Sequence, residues 1–399
     1  MARSSQTRVE DVLMTPINIG EATSDPSRRI VVLDGLRGLL TISVMLSHYF
    51  GEVRHGFHFA MCGWVAVDMF FILSGFLIGK LILEQHHHGN FFLVFYVRRF
   101  LRIIPVYVIV VLIVGAIIHY FPRPWMEVGP DFPLWSYLSF TQIFYMITTQ
   151  SIGAHWLAPT WTMSVEEHFY LVAPALIAFT PRKWLVPVLV SGAVFSLFLR
   201  FFLFTTGDGS MAGFVLLPAR ADTLIFGMLG AVAIQSANLH WERIIPYVRT
   251  IPCLAIIGVA AIAVVTTLMN GNMTAFYIVN PSLIAVGGSA YILCVVLGAL
   301  NGINYSSKTL RFFGNNGLCI YLIHLPVLGL MHGLILGGIP DIATPAQWLV
   351  TIASLAVTVV LSRGLTKWVE EPLSAYGRTW RWSAPRTPSI AVTAPARSF

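Results

Sequence analysis

Residues Ile30–Phe50 read IVVLDGLRGLLTISVMLSHYF, and this stretch decides the fold. Its length matches a crossing of the roughly 30 Å hydrocarbon core of a bilayer, yet it carries Asp34, Arg37 and His48. Ionisable groups inside a span are costly, so they face the protein interior and mark function. Asp34 and Arg37 are three residues apart, which puts them on one helix face where they can pair. Arg37 and His48 are eleven apart, close to a whole number of turns. That places them on one face with about 16 Å of axial rise between them. A plain structural alternative exists: an arginine snorkelling to the interface and a histidine bonded within the core.

The rest of the chain extends this reading. Of 399 residues, 56% are hydrophobic and only 11% charged, against about 25% charged in soluble domains. Mean hydropathy is +0.74. These values describe an all-α polytopic membrane protein. Ten runs have spanning length: Leu36–Val53, Val65–Leu83, Val97–His119, Thr162–Thr180, Leu185–Phe204, Leu217–Gln235, Ile251–Met269, Ser282–Leu300, Leu318–Leu336 and Trp348–Leu365. Pro133–Thr149 is weaker and aromatic, and is expected as an interfacial or re-entrant helix. The chain divides into a polar N-terminal segment (1–29), a membrane domain (30–373) and a disordered tail (374–399). No cleavable signal peptide is expected ahead of the first span.

The net charge of +7 follows from topology and is no nucleic-acid signal. With the N-terminus inside, 21 of the 25 lysines and arginines fall on inner segments and four outside (Arg54, Arg123, Arg200, Arg220). The positive-inside bias therefore places both termini in the cytoplasm. Cys62, Cys253, Cys294 and Cys319 are scattered singly, without disulfide or zinc spacing. No metal is expected; the His86–His88 tract reads as a solvated turn rather than a lone metal ligand set.

Several further groups can carry chemistry. Arg99 and Arg102 are one turn apart at the inner start of the third span, and paired guanidinium forks suit a polyphosphate. Positive-inside topology or anionic lipid is the plain alternative. In WTMSVEEHFY (161–170), Ser164 and Glu167 have capping-box spacing. Glu166 has no such role and is expected to orient and charge-balance His48. Arg220 and Asp222 are expected as a short-range pair or as a sugar-hydroxyl site. Asp68 lies inside the second span and needs a partner from another helix, Arg37 or His48 being candidates. His324 is expected in a hydrogen-bonded core role.

Taken in order, LDGLRG with His48, GWVAVDMFFILSGFLIG, FYVRRFLRIIPVY, WTMSVEEHFYL, GLCIYLIH and VEEPL resemble the acyltransferase 3 family. The resemblance runs from about Ile30 to Leu373. It implies ten core spans, an arginine and a histidine on the first span, matched by Arg37 and His48, and an RxxR on the third, matched by Arg99 and Arg102. A bacterial cytoplasmic membrane is expected, and from the residues His48 and Glu166 are expected to be catalytic. From the residues, Arg37, Arg99 and Arg102 are expected to hold an acyl-CoA donor, with Asp34, Asp68, Glu167, Arg220 and Asp222 supporting the site. Acyl-CoA is then a substrate, and no tightly bound cofactor is implied. The expected reaction transfers an acyl group, acetyl above others, to a hydroxyl of a cell-surface or lipid-linked glycan. His48 acts as general base or carries the acyl group. His168 departs from the pattern, since relatives carry glutamine there. Two alternatives remain: acylation of a secreted small molecule such as a macrolide, and a polysaccharide-related transporter.

Overall fold

Inside a bilayer the backbone can satisfy its hydrogen bonds only within a helix or a closed barrel, and the long apolar runs of this chain are all helical. The computed structural model describes residues 26–57, 63–126, 129–206, 210–236, 239–268, 274–300 and 302–384. The helices are α1 (Pro26–Phe50), α2 (Gly63–Gln85), α3 (Phe91–Tyr120), α4 (Leu134–Leu138), α5 (Gln142–Thr149), α6 (Thr160–Phe179), α7 (Arg182–Thr205) and α8 (Ser210–Val215). They continue with α9 (Leu217–Gln235), α10 (Trp241–Leu268), α11 (Thr274–Val296), α12 (Lys308–Asn315), α13 (Gly317–Leu336), α14 (Pro345–Leu365) and α15 (Glu371–Thr379). Among the described residues the extended structure is an isolated bridge between Arg54 and Asp341.

Among the described residues nine helices are long and apolar enough to cross a membrane. The tenth expected span, Thr162–Thr180, is the 20-residue helix α6; Glu166, Glu167 and His168 make it less apolar than the rest. Pro133–Thr149 folds as α4 and α5, of 5 and 8 residues, too short to cross. Outward apolar faces, such as Leu254, Ile256 and Phe198, are well over half exposed, as lipid-facing surface must be. The polar segment 1–29 lies almost entirely outside the described residues, as does Cys62.

Glycines set how closely the helices approach. A Cβ on Gly35 would lie 1.7 Å from the Tyr305 carbonyl oxygen, and one on Gly38 would lie 1.8 Å from that of Leu310. The LDGLRG motif therefore lets α1 lie backbone to backbone against α12 and the turn before it, which fixes Arg37 between them. The same device joins α2 to α9, where a Cβ on Gly75 would meet the Leu224 carbonyl oxygen at 1.9 Å.

Among the described residues two buried ion pairs lock the bundle, and they are not the pairs the sequence suggested. Arg220 on α9 bonds Asp68 on α2. Arg200 on α7 takes Asp222 with both guanidinium ends, at 2.9 and 2.6 Å. It also donates to the Ile278 carbonyl at 3.0 Å and to Ser282 Oγ at 2.6 Å, both on α11. Arg220 and Asp222 are two residues apart on a helix and point to different sides, so each pairs across the bundle. Asp68 accordingly finds Arg220 rather than Arg37 or His48.

The tail also differs from its expectation. Residues 374–379 complete α15, and 380–384 pack on the start of α3 through Arg98 and Asn90. Side-chain and backbone hydrogen bonds there satisfy the start of a tail whose Arg, Pro, Ser and Ala content reads as disordered. Residues 385–399 lie outside the described residues.

Candidate active site

Two cavities face α13, one on each side of its segment Tyr321–Leu325. The first, of about 470 Å³, holds Asp34 and Arg37 from α1, Arg98, Arg99 and Arg102 from α3, and Glu166 from α6. Arg37 donates to Asp34 at 2.9 Å, as their spacing predicts. Among the described residues, neither Arg99 nor Arg102 has a carboxylate within ion-pair distance. The Arg99 guanidinium instead lies over the Tyr170 ring, 4.2 Å from its centroid, and its buried Nε has no partner. Glu166 and Glu370 line the same cavity, but neither holds Arg99 or Arg102 at ion-pair distance, so those guanidinium forks can still take an anion.

Glu166 belongs to this first cavity and does not orient His48. It accepts from the Tyr170 hydroxyl at 3.0 Å, and that hydroxyl also meets Ser74 Oγ at 2.6 Å. Helix α6 begins at Thr160, four residues before Ser164, so no capping box forms at 164–167. Ser164 Oγ donates to the Thr160 carbonyl at 3.4 Å, and Glu167 keeps a buried oxygen without a partner.

The second cavity, of about 320 Å³, holds His48, Glu52, Arg54, Ser151, His155 and Trp156. His48 Nδ1 lies 2.8 Å from Glu52 Oε2. Burial pushes the Glu52 carboxyl up, but the hydrogen bond and charge of His48 outweigh it and hold Glu52 below its ordinary value. With Nδ1 committed to that carboxylate, Nε2 is the nitrogen left for chemistry. The neighbours of His48 fix its backbone. Ser47 Oγ accepts from the Gly63 amide at 3.2 Å. The buried Tyr49 hydroxyl donates to the His324 carbonyl at 3.0 Å and lies 2.7 Å from Thr358 Oγ1.

Between the cavities stands a short polar wall. Tyr321 lines the first cavity; its hydroxyl is 2.8 Å from Thr162 Oγ1. Its ring centroid is 5.8 Å from that of His324, which is 4.9 Å from that of His48. His324 is core, with Nδ1 2.7 Å from the Tyr321 carbonyl oxygen, but its Nε2 is buried without a partner.

Arg37 and His48 thus serve different cavities. Asp68, Arg220 and Asp222 stand apart from both and hold helices together. Sequence reasoning missed Glu52, although its i, i+4 spacing from His48 is a readable helical signal. It also missed Glu370 in VEEPL, which lines the arginine cavity.

A helical bundle with spanning helices and charged internal cavities defines an integral membrane protein with a buried site. The chain belongs to the acyltransferase 3 family: the family model, described as an acyltransferase domain, matches residues 30–363. It is similar to the peptidoglycan O-acetyltransferase OatA of Listeria monocytogenes, at 26% identity over 89% of this chain and 57% of that protein. The O-acetyltransferase OatA of Staphylococcus aureus is 24% identical over 86% of this chain and 57% of its own. A putative O-acetyltransferase of the same species is 22% identical over 88% and 58%. The chain thus spans somewhat more than half the length of these curated relatives. No solved structure matches it.

Proposed function

We propose that this chain is a membrane O-acyltransferase. It moves an acyl group, acetyl by analogy with the names of its relatives, from acyl-CoA to a hydroxyl of a cell-envelope glycan. The observation that carries this reading is the pair of cavities divided by Tyr321–Leu325. One presents Arg99 and Arg102, neither held by a carboxylate at ion-pair distance, and the other presents an imidazole backed by a carboxylate. Phosphates of the donor bind Arg99 and Arg102, and its acyl end reaches past Thr162 and Tyr321 toward His48. There the acceptor oxygen bonds to the acyl carbon while His48 Nε2 takes the hydroxyl proton. The C–S bond breaks, and the departing thiolate takes up that proton. Glu52 holds the imidazole in the tautomer this requires and stabilises its cation, as the third member of a triad does. Transfer by way of His48 itself, as an acyl-imidazole, uses the same groups. Acyl-CoA is a substrate in either route, and neither needs a resident cofactor.

The distribution of charge supports an arginine cavity open to the cytoplasm, with both termini on that side. A reporter fused after Phe399 should then read cytoplasmic and one placed in 123–131 external. An external C-terminus would make the number of spans odd and overturn this topology. Peptidoglycan in the name of one relative favours a wall or envelope glycan over a secreted small molecule. Mass spectrometry of surface glycans with and without the gene tests the acceptor. A transporter is the rival class; it leaves the His48–Glu52 pair unused and predicts no acyl transfer by the purified protein.

Arg99→Ala and Arg102→Ala should each weaken binding of labelled acetyl-CoA about ten- to a hundredfold. Each loses a charge-assisted contact of roughly 1.5–3 kcal/mol. Lysine should restore only part, since it keeps the charge but not the planar fork. Parent-like binding by both alanine variants, measured in detergent, would move the donor elsewhere.

A further inference from the structure

Residues 380–384 return from α15 across the first turns of α3. Arg98 donates to the Trp380 carbonyl through Nε at 3.1 Å and Nη2 at 2.5 Å. The Asn90 side chain donates to the Arg381 carbonyl at 3.0 Å and accepts from the Ser383 amide at 2.9 Å. The Asn90 amide meets Ser383 Oγ at 3.3 Å, and His88 Nδ1 lies against the Ser383 carbonyl. This strap delivers the Trp382 side chain to the arginine cavity, where it joins the lining beside Arg98. The Arg98 guanidinium carbon is 4.9 Å from the indole centroid. The rings of Phe91 and His88 lie nearly parallel to the indole, each 6.0 Å away.

The position of this aromatic group is informative. If Arg99 and Arg102 hold phosphates, the thioester end of the donor must run inward toward Tyr321 and His48. A nucleotide thioester carries its base at the opposite end of the molecule. The base therefore comes to the outer part of the cavity, where the neighbouring strap residues Arg381, Ser383 and Ala384 are exposed. Trp382 and Arg98 are what the protein presents there. An indole and a planar guanidinium are both stacking surfaces for a heteroaromatic base.

We infer that Trp382 and Arg98 form the base platform of the donor site, so that the cavity prefers a nucleotide-bearing thioester over the same thioester without its nucleoside. The inference rests on the donor reading of the arginine cavity. The test uses the purified full chain and two ligands, acetyl-CoA and acetyl-4′-phosphopantetheine, which lacks the nucleoside. Trp382→Ala should lower the affinity for acetyl-CoA, and the ratio of the two affinities, roughly tenfold. Trp382→Phe should restore most of the ratio. A ratio that Trp382→Ala leaves unchanged, whether both affinities fall or neither does, makes Trp382 a structural latch and overturns the inference. A measurement on the parent guards against misfolding: an acetyl-CoA analogue with an azide on its base should label the peptide containing Trp382. Labelling confined to other peptides also overturns it. The donor reading fails differently, through Arg99→Ala and Arg102→Ala variants that bind acetyl-CoA like the parent.

Discussion

Replacing His48 by alanine is expected to remove acyl transfer, lowering turnover by about three orders of magnitude. Donor affinity and membrane abundance should stay as in the parent. The expectation follows from place and partner. His48 lines the smaller cavity, its Nδ1 is held by Glu52 at 2.8 Å, and the arginines sit in the other cavity. Glu52→Gln should fall between parent and His48→Ala, losing about ten- to a hundredfold, because the amide can still accept a hydrogen bond but cannot balance an imidazolium. The Glu52 carboxyl is held below its ordinary value by His48, so it is ionised at neutral pH and the substitution removes a real charge. The measurement is transfer from labelled acetyl-CoA to a soluble saccharide by purified protein. Near-parent turnover in His48→Ala would end the proposed chemistry.

Asp222→Ala should be the most destabilising single change outside the two cavities, costing about 3–5 kcal/mol. Arg200 and Asp222 are both wholly buried, and the arginine would be left with its charge uncompensated at the junction of α7, α9 and α11. Ser282 Oγ, which donates to Asp222 at 2.7 Å, would lose its acceptor as well. The half-exposed pair Arg363–Glu371, at 2.6 Å, is the internal comparison: Arg363→Ala should cost under about 1 kcal/mol. Thermal unfolding in one detergent would rank the two. An Asp222→Ala protein that melts with the parent would mean that Arg200 is satisfied by its carbonyl and hydroxyl contacts alone.

The sequence was most informative where one helix carries the whole signal. Asp34 and Arg37 pair as their three-residue spacing requires, and the apolar runs are helices because a bilayer leaves the backbone no other way to bond. It misled wherever the partner lies on another element. Asp68 needed a cation, and the sequence pointed to Arg37 or His48 on the neighbouring span, but the partner is Arg220 on α9. Glu166 and His48 were expected together because both sit near span ends. Depth says nothing about azimuth, and Glu166 turns toward Tyr170 and the arginines.

By itself, then, the sequence determined the class of the protein, nearly every span and the arginine pair on α3, and it singled out His48 as a candidate. Those are properties of composition and of 3.6-residue periodicity, which are local. Only the tertiary structure decided that the charged groups divide between two cavities. It also turned the Arg220 and Asp222 pair into two cross-bundle ion pairs and brought Trp382 to the arginine cavity. These depend on how helices rotate and approach one another. That is set by backbone contacts at residues such as Gly35, Gly38 and Gly75, and by close packing between elements distant along the chain.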